Sequence, residues 1–183
     1  MERAIRSVAV FCGARDGGDP RYAAAAREVG RTLAERGLTV VYGGGGTGLM
    51  GAVANGALDA GGTVIGVIPE ALIGPELAHP DLAELHVVAT MAERKAMMAE
   101  LADVFVALPG GTGTLEEIVE QWSWAMLGYH DKPCGFLDVL GYWSPMRELV
   151  DHMREQGFLS EAGASMIRFE SSLDPLLSAL EDA

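Results

Sequence analysis

Short apolar runs recur along the chain, separated by longer segments of helical periodicity, and this alternation constrains the fold more than any other property of the sequence. The runs are Val8 to Cys12, Thr39 to Tyr42, Thr63 to Ile68, Leu85 to Ala89, Val104 to Leu108, Cys134 to Val139 and Met166 to Glu170. Several are apolar at successive positions, as strands covered on both faces must be. Helices are predicted between them at about Arg21 to Arg36, Leu49 to Ala60, Met91 to Ala102, Thr114 to Leu127, Ser144 to Gln156 and Pro175 to Glu181. Strand and helix alternating in this way imply right-handed crossovers and a parallel sheet. The expected fold class is α/β: a Rossmann-like doubly wound parallel sheet with helices on both faces, in a single domain spanning 1–183. With 183 residues, 49% of them apolar, the chain can bury a sizeable core without a second domain.

Glycine clusters close three of the predicted strands: Cys12-Gly13-Ala14, Gly43 to Gly48, and Pro109-Gly110-Gly111-Thr112-Gly113-Thr114. In such folds, ligands bind at the carboxyl ends of the strands. Backbone N–H groups at a helix N-terminus are suited to hold a phosphate there. The middle loop matches G-x-G-x-x-G twice, and Glu70 stands where a dinucleotide fold places its ribose-binding acid. The same glycines serve equally well for a tight turn and close helix–strand packing. The third loop lacks the Gly-Lys-Ser/Thr ending of a Walker A loop. Thr114-x-x-Glu117 has the pattern of a capping box, which places a helix start at Thr114. Capping accounts for one carboxylate but leaves Glu116 and Glu120 over. Together the three acids suit a site that binds phosphate at its base and sugar hydroxyls at its rim. The segment Pro69 to Ala83, with three prolines, reads as a long loop over the same edge.

Charge narrows the possible partners. Thirteen Lys and Arg against 26 Asp and Glu leave a net charge of −13, which disfavours nucleic acid and anionic membrane. Between Arg36 and Lys132 the only basic residues are Arg94 and Lys95. Thr90-Met91-Ala92-Glu93 predicts a capped helix start just before them. At 100° per residue, Arg94 falls inside that helix's apolar stripe, so it must snorkel, pair with a carboxylate or face a cleft. Lys95 lies at the edge of the stripe. On the helix after Thr114, Leu115, Ile118, Val119, Trp122 and Met126 form the predicted buried stripe, and Trp124 on another face suggests an interface. Two distant cysteines fit a reducing compartment, the four histidines lack metal-ligand spacing, and no apolar run approaches a bilayer span. A cytoplasmic protein without a metal or cofactor is expected.

Four stretches carry a family resemblance: Gly44 to Gly51, Met91 to Lys95, Pro109 to Glu117, and Trp124 to Pro133. They resemble the LONELY GUY (LOG) family of cytokinin riboside 5′-monophosphate phosphoribohydrolases, often mislabelled lysine decarboxylases. The resemblance runs from the first strand to about Leu159. It implies hydrolysis of the N-glycosidic bond of an adenine-type nucleoside 5′-monophosphate, giving free base and ribose 5-phosphate, with no cofactor and in a homodimer. By the same resemblance Arg94 and Glu117 are catalytic. Substrate-binding positions are Glu76, Lys95, Gly110, Gly111, Thr112, Gly113, Thr114, Leu115, Glu116 and Trp122. Met126, Thr112 and Trp122 depart from residues common in the family, which bears on the base substituent rather than on the reaction.

Three other functions compete. A lysine decarboxylase needs a lysine for pyridoxal phosphate, and only Lys95 and Lys132 exist, neither in a cofactor context. A dinucleotide-binding oxidoreductase explains the middle loop and Glu70 but leaves Arg94 and the Pro109 loop idle. A non-catalytic nucleotide-binding module would hold an AMP-like ligand without turning it over.

Overall fold

A computed structural model describes residues 4–74 and 77–183. Among these residues seven strands form one parallel sheet: β1 (Ser7–Phe11), β2 (Thr39–Tyr42), β3 (Val64–Pro69), β4 (Glu84–Val88), β5 (Val104–Ala107), β6 (Cys134–Leu137) and β7 (Ile167–Glu170). Their order is β4-β3-β2-β1-β5-β6-β7. The chain thus winds outward from β1 in one direction, then returns to β5 and winds outward in the other. In register, Val8 faces Val40 of β2 and Val104 of β5.

Successive residues of a strand point to opposite faces, and both faces of this sheet are covered. Val8 and Val10 join Val40, Tyr42 and Val106 under α1 (Pro20–Glu35), α2 (Gly48–Asp59) and a C-terminal helix, Leu173–Glu181. Ala9 and Phe11 join Val41, Val67 and Phe105 under α3 (Met91–Leu101), α4 (Thr112–Met126) and α5 (Ser144–Glu155). The doubly wound sheet is therefore as expected. A four-residue α6 (Glu161–Ala164) makes the C-terminal helix α7. On the first face α1 and α2 pack at backbone distance: a Cβ on Gly30 would lie 2.0 Å from the Val53 carbonyl, and one on Gly56 2.0 Å from that of Arg27.

Two helix starts bear directly on the site. At α3 the capping pattern holds: the Glu93 N–H donates to Thr90 Oγ1 at 3.1 Å, and Glu93 Oε2 accepts from the Ala89 N–H at 2.8 Å. At α4 it does not. This helix begins at Thr112, with Gly111 as its cap, so Thr114 already lies inside the first turn. The long α3 connection also settles where Arg94 sits. Leaving edge strand β4, α3 crosses beneath β3, β2 and β1 before feeding β5, and its first turn stays at the carboxyl side of the sheet.

Candidate active site

β1 and β5 are adjacent strands from which the chain winds apart, so their outgoing loops part and leave a crevice. A cleft of about 600 Å³ lies there. One wall is the β1–α1 loop from Gly13 to Gly18, and the other is Pro109 to Thr114 with Glu117. Leu49, Met50, Leu72, Met91 and Arg94 line it as well, with Tyr22 and Tyr142.

The floor is made of backbone. The Gly13 N–H donates to the Pro109 carbonyl at 3.0 Å, and a Cβ on Gly110 would lie 2.9 Å from Gly13 N and 2.0 Å from Thr114 Oγ1. Only glycine lets these loops and the first turn of α4 approach so closely. The first hydrogen bond of α4 joins the Leu115 N–H to the Gly111 carbonyl at 3.1 Å. The N–H groups of Thr112, Gly113 and Thr114 precede it and have no helical acceptor. A Cβ at Gly111 or Gly113 would meet nothing within 4 Å, so an anion can reach this turn. The Tyr142 hydroxyl donates to the Gly110 carbonyl, and its ring stands edge-on to Tyr22 at 5.8 Å. Leu140, in the left-handed region at φ 57°, makes the turn that brings Tyr142 there.

Arg94 is 3% exposed although charged. Its Nε donates to the Val67 carbonyl at 3.0 Å and its Nη2 to that of Gly43 at 2.7 Å, so the ends of β3 and β2 hold the guanidinium in place. Such bonds are what make a buried cation tolerable. Glu117, 9% exposed, lines the same cleft from the second turn of α4. An arginine and a glutamate from different elements thus meet one cavity beside a helix N-terminus.

The other expected contacts divide differently. Gly110, Gly111, Thr112, Gly113 and Thr114 line the cleft, whereas Lys95, Leu115, Glu116 and Trp122 do not. Lys95 is 8% exposed between α3 and α4, where its ammonium bonds Glu116 and, at 3.0 Å, Glu120. Burial pulls its pKa down, but the two carboxylates outweigh that and leave it raised. The acids left over by capping are therefore taken up by this ion pair. Trp122 is a core residue whose Nε1 donates to the Gly163 carbonyl at 2.9 Å. The buried face of α4 runs through Thr114, Glu117, Ile118, Gln121 and Trp122, so Leu115 and Met126 are exposed, contrary to the predicted stripe. Glu76 lies outside the described residues.

The middle glycine loop is not an anion cradle. Of its neighbourhood only Leu49 and Met50 line the cleft, and in the 3-10 turn that Glu70 opens it is Leu72, not Glu70, that borders it. A Cβ on Gly43 would sit 2.1 Å from Arg94 Nη2, and one on Gly48 2.3 Å from the Ala14 backbone. These glycines make room for the arginine and the β1–α1 loop. That β1–α1 loop, with Tyr22 and Tyr142, is the part of the site that sequence reasoning missed. The glycine after β1 was the available signal, but only strand order shows that β1 and β5 flank the crevice.

Comparison with known proteins agrees with this arrangement. Residues 50–180 match the family model described as "Possible lysine decarboxylase". The cytokinin riboside 5′-monophosphate phosphoribohydrolase of Rhodococcoides fascians is 47% identical over 96% of this chain and 89% of its own length. A protein of the same name from Arabidopsis thaliana is 42% identical over all of this chain and 85% of its own. The Moco carrier protein of Chlamydomonas reinhardtii, 23% identical, superposes with a TM-score of 0.71 over 98% of this chain and 97% of its own, a likeness of fold. The motifs, the cleft and relatives matched along nearly their whole length agree, and the chain belongs to the LOG family of cytokinin riboside 5′-monophosphate phosphoribohydrolases.

Proposed function

We propose that this chain hydrolyses the N-glycosidic bond of an adenine-type nucleoside 5′-monophosphate, releasing free base and ribose 5-phosphate. The observation that carries this reading is the meeting of Arg94, Glu117 and the open first turn of α4 in one cleft. The 5′-phosphate docks on the N–H groups of Gly111 to Thr114, where several hydrogen bonds and the helix end act together. Each neutral backbone donor works without a lysine, which suits a chain of net charge −13.

Cleavage of a ribosyl C–N bond leaves cationic character on the sugar, as in glycoside hydrolysis. Glu117 stabilises that charge and takes a proton from the attacking water, whose oxygen bonds to the anomeric carbon as the base departs. The leaving base needs a proton or a hydrogen bond. Arg94, fixed by two carbonyls beside Met50 and Met91, supplies a donor at that end of the cleft. Lys95, Glu116 and Glu120 hold α3 against α4 and so keep Arg94 facing Glu117.

The working unit in this proposal is the whole chain as one domain, acting in the cytoplasm as a homodimer. An apolar face favours the dimer: Trp124 lies edge-on to Tyr129, and Tyr129 and Leu127 are 76% and 68% exposed beside Met126. No helix among the described residues is long and apolar enough to cross a membrane.

Chromatographic assay of base release from AMP and from isopentenyladenosine monophosphate tests the reaction. Equimolar base and ribose 5-phosphate are expected. Tight binding of AMP without release would replace the hydrolase with a nucleotide carrier.

A further inference from the structure

We propose that Arg15, on the β1–α1 loop, is the side chain that recognises the substrate's 5′-phosphate, and that the protein's preference for nucleotides over nucleosides depends on it. This rests on the hydrolase reading above and divides the labour of its two cleft arginines. Arg94 is buried and spends Nε and Nη2 on backbone carbonyls. Arg15 lines the same cleft and is exposed there. Gly13, two residues before it, donates to Pro109 and touches Gly110, which places Arg15 next to the turn that offers its N–H groups to phosphate.

Two further observations set Arg15 apart. Its backbone is clamped: a Cβ on Gly48 would lie 2.4 Å from Arg15 N, and one on Gly13 3.2 Å from Arg15 O. Its side chain, by contrast, is exposed at the cleft and makes no ion pair among the described residues. Arg147 and Arg168 are also without an ion pair among these residues, but their guanidinium groups bond backbone carbonyls. Arg21, Arg27, Arg31, Arg36 and Arg154 each pair with a carboxylate. Asp16 also lines the cleft but does not pair with its neighbour. An unpaired guanidinium on a fixed backbone, in the cleft that the first turn of α4 also lines, is suited to bidentate recognition of a phosphate dianion.

Arg15→Ala tests this, with Arg15→Lys beside it. Initial rates are taken with a nucleoside 5′-monophosphate and with the matching 5′-hydroxyl riboside, and ribose 5-phosphate is titrated calorimetrically against ribose. For Arg15→Ala, KM for the monophosphate is expected to rise about tenfold, a loss of about 1.4 kcal/mol. Ribose 5-phosphate affinity should fall by the same factor, while kcat falls much less and the riboside is handled as by wild type. Arg15→Lys should recover part of the loss. Monophosphate KM and ribose 5-phosphate affinity both within about twofold of wild type would overturn the assignment, since one charged hydrogen bond is worth more than that. If wild type releases no base, the hydrolase reading fails, and the ribose 5-phosphate titration alone then decides the role of Arg15.

Discussion

The two longer glycine loops are similar in composition and opposite in use. Gly43 to Gly48 is filled: Arg94, the Ala14 backbone and the Leu77 carbonyl occupy the space where side chains would stand. Pro109 to Thr114 is filled only beneath Gly110, while Gly111 and Gly113 face open space and line the cleft. One loop uses glycine to admit other parts of the protein, and the other leaves open space where the proposed phosphate would dock. A glycine motif therefore acquires its meaning from what approaches the missing Cβ.

Substitutions can break this contrast in graded ways. The largest effect is expected on the helix that the open loop begins. Glu117→Gln should lower turnover by about 10²–10⁴-fold, the usual worth of a positioned acid or base, while thermal unfolding stays near wild type. Base release and a melting curve, measured together, check it; near wild-type turnover would remove Glu117 from the chemistry. Gly43→Ala should follow. Its methyl would lie 2.1 Å from Arg94 Nη2, so the guanidinium loses its seat on the Gly43 carbonyl. Overpacking of this kind costs about 1–3 kcal/mol, visible in urea denaturation, and activity should fall with it.

Gly113→Ala should do the reverse. Nothing lies within 4 Å of its added Cβ and the position is helical, so stability should rise by about 0.5–1 kcal/mol. In the proposed complex the methyl would crowd the phosphate, and KM should rise several-fold, on the order of 1 kcal/mol of lost binding. A fall in urea midpoint for Gly113→Ala, or none for Gly43→Ala, would erase the distinction between the loops. The smallest effect is expected outside both. Asp103 accepts hydrogen bonds from the Arg6 N–H at 2.8 Å and the Ser7 N–H at 3.0 Å, tying the start of β1 to the turn before β5. Burial pushes its pKa up, but these bonds more than offset it and leave it below the usual carboxylate value. The stabilisation is thus complete above about pH 4 and fades as pH falls through the lowered native pKa. Asp103→Asn should cost only about 0.5 kcal/mol near neutrality, since the amide oxygen can still accept, and its stability should converge with wild type in acid.

Much of this architecture is legible in the amino-acid sequence. Each predicted strand was found, with ends shifted by a residue or two, because runs such as Val104 to Leu108 are apolar on both faces. The start of α4 was misplaced by two residues because its cap is Gly111, which offers no side-chain acceptor to recognise. α6 was missed because four residues carry no periodicity. The angle of Arg94 on α3 left the cleft as one of three placements, and Lys95 could not be told from a ligand contact. The Lys95 ammonium is taken up by Glu116 and Glu120, and these reach it only after α3 and α4 pack. The β1–α1 wall was hidden for a similar reason, since it faces Pro109 only because β5 returns to lie beside β1.

The backbone contact between Gly13 and Gly110 also limits how the protein can diverge. Where main chain meets main chain, a side chain cannot be gained without driving the loops apart, so this floor is closed to gradual change. The rim is not: Met50, Leu72, Met91 and Tyr22 border the cleft with side chains that can be exchanged one at a time. New substrate preferences in descendants of this chain should therefore arise around the base, with the phosphate seat inherited unaltered.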